Sequence, residues 1–225
     1  MSTPSSSLRN RILSVLDRLE VATKNMVPPA ATSIVAEYGR DPFLVLISTI
    51  LSVRTKDTVS LPASQRLFAL ARTPAQMRKV PLPLIEKTIY PVLYYRIKAS
   101  NIVATCNKLM GDFDGKVPSD ERELLSLPGV GRKIMNLVRA EGFGLQAICV
   151  DVHVHRISNR LGWVETETPE ETEKVLRQIV PPERWRDLNR LLVTWGQNIC
   201  VPISPFCSKC AVADLCPRIG VEKER

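Results

Sequence analysis

Three groups of residues have the types and spacing to do chemistry. Four of the six cysteines stand at Cys200, Cys207, Cys210 and Cys216, a C-x6-C-x2-C-x5-C pattern confined to 17 residues. Four thiolates so close in sequence can surround one ion or one cluster, and the C-x2-C pair supplies two ligands from a single turn. The spacing does not by itself separate zinc from iron–sulfur. Zinc sites, however, usually pair two C-x2-C knuckles across a longer gap, whereas the outer cysteines of this chain stand alone, which favours iron–sulfur. The second group is Leu127-Pro128-Gly129-Val130-Gly131-Arg132-Lys133. Two glycines one residue apart allow a sharp turn that exposes successive N–H groups where a helix begins, a place that can hold a phosphate oxygen. Arg132 and Lys133 add positive charge there. The third group is Val150-Asp151-Val152-His153-Val154-His155-Arg156, a short polar–apolar alternation in which a structural role is the commoner reading.

The elements that must position these residues are helical. Apolar Leu8, Ile12, Val15, Leu16 and Leu19 recur at helical spacing, and Pro28-Pro29 closes that segment. Residues 43–53 are apolar on nearly every face, which predicts a buried helix at the centre of a core. Thr73-Pro74 reads as an N-cap followed by proline at the first helical position, and Thr168-Pro169-Glu170-Glu171 repeats the device with a capping box. Ser119 is placed to cap a helix with Asp120 and Glu121 in its first turn, ending by Leu127, so the glycine turn lies between two helices. Only residues 151–157 alternate like a strand. The chain lacks the regular hairpin turns of an all-β protein, and the fold class expected is all-α.

The chain has 225 residues, 44% of them hydrophobic and 24% charged, with a net charge of +8. That composition suits a protein that buries a core and excludes collagen and disordered polyelectrolytes, and the positive balance points to an anionic partner. The mainly apolar stretch of residues 43–53, 11 residues long, falls short of the roughly 20 needed to cross a bilayer. The amino terminus has no apolar core of a secretory signal, and residues 1–7 read as a mobile tail, so a reducing, cytoplasmic compartment is expected. In that compartment clustered cysteines favour a metal over disulfides. Cys106 and Cys149, with apolar neighbours, are expected to be buried small hydrophobes.

Taken together, LPGVGRK, an aspartate 18 residues beyond its lysine and the cysteine spacing closely resemble the endonuclease III family of DNA glycosylases over residues 36–216. The resemblance implies a bilobal helix-hairpin-helix fold, with a six-helix lobe of residues 36–145 and a cluster lobe of residues 1–35 and 146–225. It places residues 151–157 at the start of a helix instead of in a strand. By motif it makes Lys133 the catalytic lysine, Asp151 the catalytic aspartate, and Cys200, Cys207, Cys210 and Cys216 the ligands of a [4Fe-4S] cluster. Gly129, Val130, Gly131 and Arg132 become the hairpin that binds DNA. The implied partner is double-stranded DNA containing damaged bases or abasic sites, met by a monomer on the bacterial nucleoid. The implied activity is base excision with abasic-site lyase (β-elimination) through a lysine imine. A damaged base must leave the stack to be reached. Lys133 would attack C1′ as a neutral amine, which desolvation, Arg132 and a helix N-terminus all favour. Asp151 would accept the proton or offset charge developing on the sugar.

This sequence also departs from the family pattern. Arg54 stands where a glutamine usually fills the gap left by the extruded base, and Tyr94 stands where leucine is common as the wedge. Arginine can pair with two acceptors on a base and tyrosine can stack, so the orphan base is expected to be read differently. A phosphate contact for Arg54 and a core position for Tyr94 are the competing readings. The loop VPISPF between the first two cluster cysteines has no basic residue, which leaves phosphate contacts to Lys209, Lys133 and Arg132. Val152 replaces a threonine. Two other functions stay open: a monofunctional mismatch- or uracil-type glycosylase using water and Asp151, and a non-catalytic DNA-binding protein with a structural four-cysteine metal site.

Overall fold

A computed structural model describes residues 6–225. The tail expected over residues 1–7 lies outside the described residues except at Ser6 and Ser7, which open the first helix because Leu8 and Ile12 anchor that turn on the core. In chain order the α-helices are α1 (Ser6–Thr23), α2 (Ala30–Tyr38), α3 (Pro42–Ser52), α4 (Asp57–Leu70), α5 (Pro74–Met77) and α6 (Leu82–Ile89). They are followed by α7 (Tyr95–Asp112), α8 (Glu121–Leu125), α9 (Arg132–Leu137), α10 (Val152–Arg160), α11 (Pro169–Ile179) and α12 (Trp185–Asn198). No strand occurs among the described residues, so the all-α expectation holds. None of these helices is long and apolar enough to cross a membrane.

Two compact units divide the chain: Pro29–Leu145, and the residues up to Pro28 together with Gln146–Arg225. The first, the hairpin unit, is built around α3. Asp41 caps α3 by accepting hydrogen bonds from the N–H groups of Phe43 (2.8 Å) and Leu44 (3.2 Å), and every residue from Phe43 to Leu51 is buried. Its hydroxyls do not disturb that burial, since Ser48 and Thr49 both donate back to the Val45 carbonyl. Each buried leucine or isoleucine of α3 contributes about 1.5–3 kcal/mol, which makes this helix the main stabilising element of the unit. The unit starts at Pro29 and not at residue 36, because α2 belongs to it: Ala30, Ala31 and Ile34 are buried, and Ile34 lies in the core that α3 fills.

The second, the cysteine unit, gathers α1, α10, α11 and α12. Ile12, Val15, Leu16 and Leu19 of α1 share a core with Val154 and Ile157 of α10 and Leu188, Leu191 and Leu192 of α12. The capping box at α11 forms as its sequence indicates. Thr168 accepts from the Glu171 N–H at 3.2 Å, and Glu171 accepts from the Thr168 N–H at 3.3 Å.

One local expectation is corrected and one is borne out. The cap of α8 is Asp120, not Ser119: its Oδ1 accepts from the N–H groups of Arg122 (2.8 Å) and Glu123 (3.1 Å), and those bonds hold its carboxyl below the usual range. A carboxylate makes the stronger, charge-assisted cap, so the helix begins one residue later and ends at Leu125. Residues 151–157 open α10 with Asp151 as its N-cap, as the family resemblance implies, and their strand-like alternation forms no strand. Val154, Ile157 and Ser158 point one stripe of that helix into the core, and this i, i+3, i+4 pattern overrides a short period-two coincidence. Cys106 and Cys149 are fully buried, and burial pushes the Cys106 thiol up to about 12.

Candidate functional site

The glycine turn of the hairpin unit is fixed by α7. Gly129 has φ +76°, and a Cβ there would lie 2.6 Å from Asn101 Nδ2, so both backbone and space require glycine. Thr105 Oγ1 donates to the Pro128 carbonyl at 3.0 Å, and the Val130 N–H closes the turn on the Leu127 carbonyl at 3.1 Å. Val130 is buried and pins the turn to the core. Gly131 is the extended N-cap of α9, and Ile134, Met135 and Leu137 anchor that helix. Arg132 is then exposed and Lys133 half-buried in the first helical turn. Two cations at the positive end of a helix run against its dipole, an arrangement suited to a site that receives an anion. Past Leu137 the helix widens into a π-turn, Val138–Gly142, where a Cβ on Gly142 would approach the Pro42 Cα to 2.9 Å.

Arg54 and Tyr94 sit on two turns of the same unit, after α3 and before α7. Both have left-handed backbones, φ +55° and +57°. Such conformations are disfavoured for residues with side chains, and they persist where surrounding contacts over-determine them. Tyr94 is 52% exposed, which rules out its core reading, and the Arg54 guanidinium lies 5.8 Å from the centre of its ring. Tyr90, Leu93 and Ile97 are also exposed and give this end of the unit an apolar, aromatic surface.

In the cysteine unit, Asp151 is the N-cap of α10. Its Oδ1 accepts from the N–H groups of His153 (2.9 Å) and Val154 (3.0 Å), while the residue is only 9% exposed. The neighbouring Val152 is solvent-exposed. His153 packs against Gly196, and His155 Nδ1 lies 2.7 Å from Thr172 Oγ1, so both imidazoles have structural neighbours. The same helix carries two arginines to the cysteines. Arg156 donates to the Cys200 carbonyl at 2.8 Å, and Arg160 donates to Cys200 Sγ (3.3 Å), Val201 O (2.8 Å) and Pro202 O (2.7 Å). Burial pushes the Arg156 pKa down.

Cys200, Cys207, Cys210 and Cys216 all line one small pocket, together with Arg160, Phe206 and Arg218. None of the four is in a disulfide. Among the described residues, no three His, Cys, Asp or Glu side chains converge closely enough to hold a single metal ion. The loop VPISPF is basic-free as its sequence reads, with Ile203 83% exposed, and Lys209 beside it is exposed over the Phe206 ring.

Sequence reasoning missed the supports: Asn101 and Thr105 under the hairpin, Arg156 and Arg160 around Cys200, and Lys98. The signal for Lys98 is in the sequence, because Lys98, Ile102, Thr105 and Leu109 share the buried face of α7. A lysine on such a stripe marks a buried cation.

Residues 47–182 match the family described as HhH-GPD superfamily base excision DNA repair protein. Endonuclease III of Thermotoga maritima is 44% identical over 196 residues, 85% of this chain and 92% of that protein. A trapped covalent intermediate of endonuclease III with DNA, in an estranged-adenine complex, has a TM-score of 0.80 at 35% identity, covering 93% of this chain and 96% of the other. A thermostable thymine-DNA glycosylase has a TM-score of 0.82 at 26% identity, covering 95% of this chain and 97% of the other. With this extent of likeness on both sequence and fold, the chain belongs to the endonuclease III family within the HhH-GPD superfamily.

Proposed function

We propose that this protein is a base-excision DNA glycosylase with abasic-site lyase activity, acting on double-stranded DNA through an imine on Lys133. The observation that carries this reading is the constrained Gly129 hairpin delivering Lys133 into the first turn of α9, in a chain similar to an endonuclease III trapped covalently on DNA. In the proposed reaction Lys133 Nζ attacks C1′ of the extruded nucleotide, and the base departs with the glycosidic electron pair and takes up a proton. The ring oxygen then opens to leave an imine. Loss of a C2′ proton expels the 3′ phosphate, and water releases Lys133. Asp151 accepts the lysine's proton or offsets the positive charge on the sugar. The Gly129–Arg132 hairpin supplies phosphate contacts, and Arg54 and Tyr94 occupy the space vacated in the stack.

We further propose that Cys200, Cys207, Cys210 and Cys216 hold a [4Fe-4S] cluster. All four thiols line one pocket, and a set of four thiolates whose outer members stand apart from the C-x2-C pair suits an iron–sulfur cluster better than the paired knuckles of a zinc site. Held by these four residues, the group would supply structure to the loop that carries Lys209. The bacterial relative favours a cytoplasmic, nucleoid-associated protein.

A second substrate reading has its own support. Arg54 in place of glutamine, together with the likeness to a thymine-DNA glycosylase, favours a mismatched or deaminated base opposite guanine over an oxidised pyrimidine. Incubation with duplexes bearing thymine glycol, uracil opposite guanine or thymine opposite guanine separates the two. Strand cleavage without added alkali is expected on at least one of them. Cleavage confined to the thymine glycol duplex removes the mismatch reading, cleavage that appears only after alkali removes the lyase step, and DNA intact in all three even after alkali removes the enzyme. DNA affinity should also fall steeply with salt as neutralised phosphates release counterions, and salt-independent binding would count against a phosphate-gripping hairpin.

A further inference from the structure

Lys98 is 6% exposed, yet its ammonium has no carboxylate among its hydrogen-bond partners. Nζ donates to Leu51 O at 2.8 Å, Val53 O at 2.6 Å and Thr55 Oγ1 at 3.2 Å, which uses all three of its protons. The two carbonyls belong to the C-terminal end of α3, where helices leave acceptors without intrahelical partners and where the dipole favours a cation. Thr55 extends the link, because its hydroxyl oxygen also accepts from the Leu93 N–H at 3.2 Å. Arg54 therefore lies between Val53 and Thr55, both held by Lys98. Tyr94 lies between Leu93, which Thr55 holds, and the first turn of α7, where the Lys98 N–H closes on the Tyr94 carbonyl at 3.0 Å.

An apolar side chain would fill the same space without the desolvation that brings the Lys98 pKa down to about 8. What it would not supply is the joint between two turns whose exposed residues both have strained, left-handed backbones.

We propose that Lys98 is a positioning residue for lesion reading: with Thr55 it fixes the turn carrying Arg54 against the turn carrying Tyr94, so that guanidinium and ring enter the DNA stack as one unit. The proposal rests on the reading of Arg54 and Tyr94 as residues that contact DNA. Lys98 itself touches no substrate. It acts by holding both left-handed turns in place before DNA arrives, so the ordering is already done when the base leaves the stack.

The test uses a duplex with a tetrahydrofuran abasic analogue opposite 2-aminopurine, whose fluorescence rises when its stacking is broken and which is independent of Lys133 chemistry. The full-length protein is compared with Lys98→Met, Thr55→Val, Thr55→Ser, Arg54→Ala, Tyr94→Ala and the Lys98→Met/Arg54→Ala pair. Lys98→Met and Thr55→Val are expected to bind this duplex roughly tenfold more weakly and to lose most of the fluorescence rise. Thr55→Ser, which keeps the hydroxyl, should restore it, and the pair should be no weaker than Arg54→Ala alone. Thr55→Val carries the test if Lys98→Met does not fold. A full rise with Lys98→Met and Thr55→Val while Arg54→Ala abolishes it overturns the strut and leaves the DNA-reading role standing. Full additivity in the pair also overturns it, since Lys98 would then act elsewhere. An unchanged rise with Arg54→Ala and Tyr94→Ala removes the reading of those residues, and the proposal with it.

Discussion

Replacing Asp151 by asparagine separates its two possible tasks. As a cap, its Oδ1 accepts from the N–H groups of His153 and Val154 at 2.9 and 3.0 Å. Asparagine has an oxygen in the same place and is an equally good N-cap, so Asp151→Asn should keep α10 intact. Asp151→Ala removes the acceptor and should cost about 1 kcal/mol, which for a chain of this size is a fall of roughly 2–4 °C in Tm. Catalysis should divide the variants differently. Both lack the charge that takes the lysine's proton or faces the developing sugar cation, so both should lose about 10²–10⁴ in single-turnover base release. Thermal unfolding followed by circular dichroism and base release on one lesion duplex give the two numbers for each variant. An asparagine variant that turns over like the native protein would reduce Asp151 to a cap. One as unstable as the alanine variant would contradict the hydrogen-bonding account of α10.

Three further outcomes follow from the geometry. Gly129→Ala must place a side chain on a left-handed backbone and against Asn101, so a loss of about 1–2 kcal/mol is expected; Asn101→Ala in the same chain should relieve the contact but not the backbone, and a fully stable Gly129→Ala would contradict both. Lys98 binds a proton less readily folded, at about 8, than unfolded, at the ordinary 10.5. Below pH 8 both states hold the proton, and between pH 8 and 10.5 only the unfolded chain does, so this group's contribution to stability rises with pH by up to roughly 3 kcal/mol. Denaturant titrations should show the native protein gaining on Lys98→Met across that window, and a constant difference would refute the buried ammonium. Finally, purified protein should be brown and contain iron and sulfide in equal amounts, which Cys210→Ser should lose, whereas a colourless protein with one zinc would defeat the cluster.

Much of the site was legible in the sequence because its chemistry is local. Gly129 and Gly131 frame a turn two residues from Lys133, and four thiols within 17 residues cannot fold far apart. The capping box at Thr168 was equally plain, since both of its hydrogen bonds span three residues. Ser119 and Asp120 were a harder case, because adjacent residues can each cap and the stronger acceptor wins. The short alternation in residues 151–157 misleads on its own, because period-two and helical patterns overlap over seven residues and only burial against α1 and α12 decides. The supports of the site were least legible. Lys98 meets Leu51, Val53 and Thr55 more than forty residues away, and Arg160 meets Cys200 forty residues away, so only packing brings them together.

Borohydride reduction captures the imine on Lys133 as a stable covalent protein–DNA adduct. Native protein and Lys133→Ala are incubated with duplexes bearing an abasic site, thymine glycol, or uracil opposite guanine, then reduced and separated under denaturing conditions. A covalent protein–DNA band is expected with the native protein on the abasic duplex and on at least one base lesion, absent with Lys133→Ala. Base release with no trapped band would assign the chemistry to water and Asp151, and a band that survives Lys133→Ala would place the nucleophile on another residue.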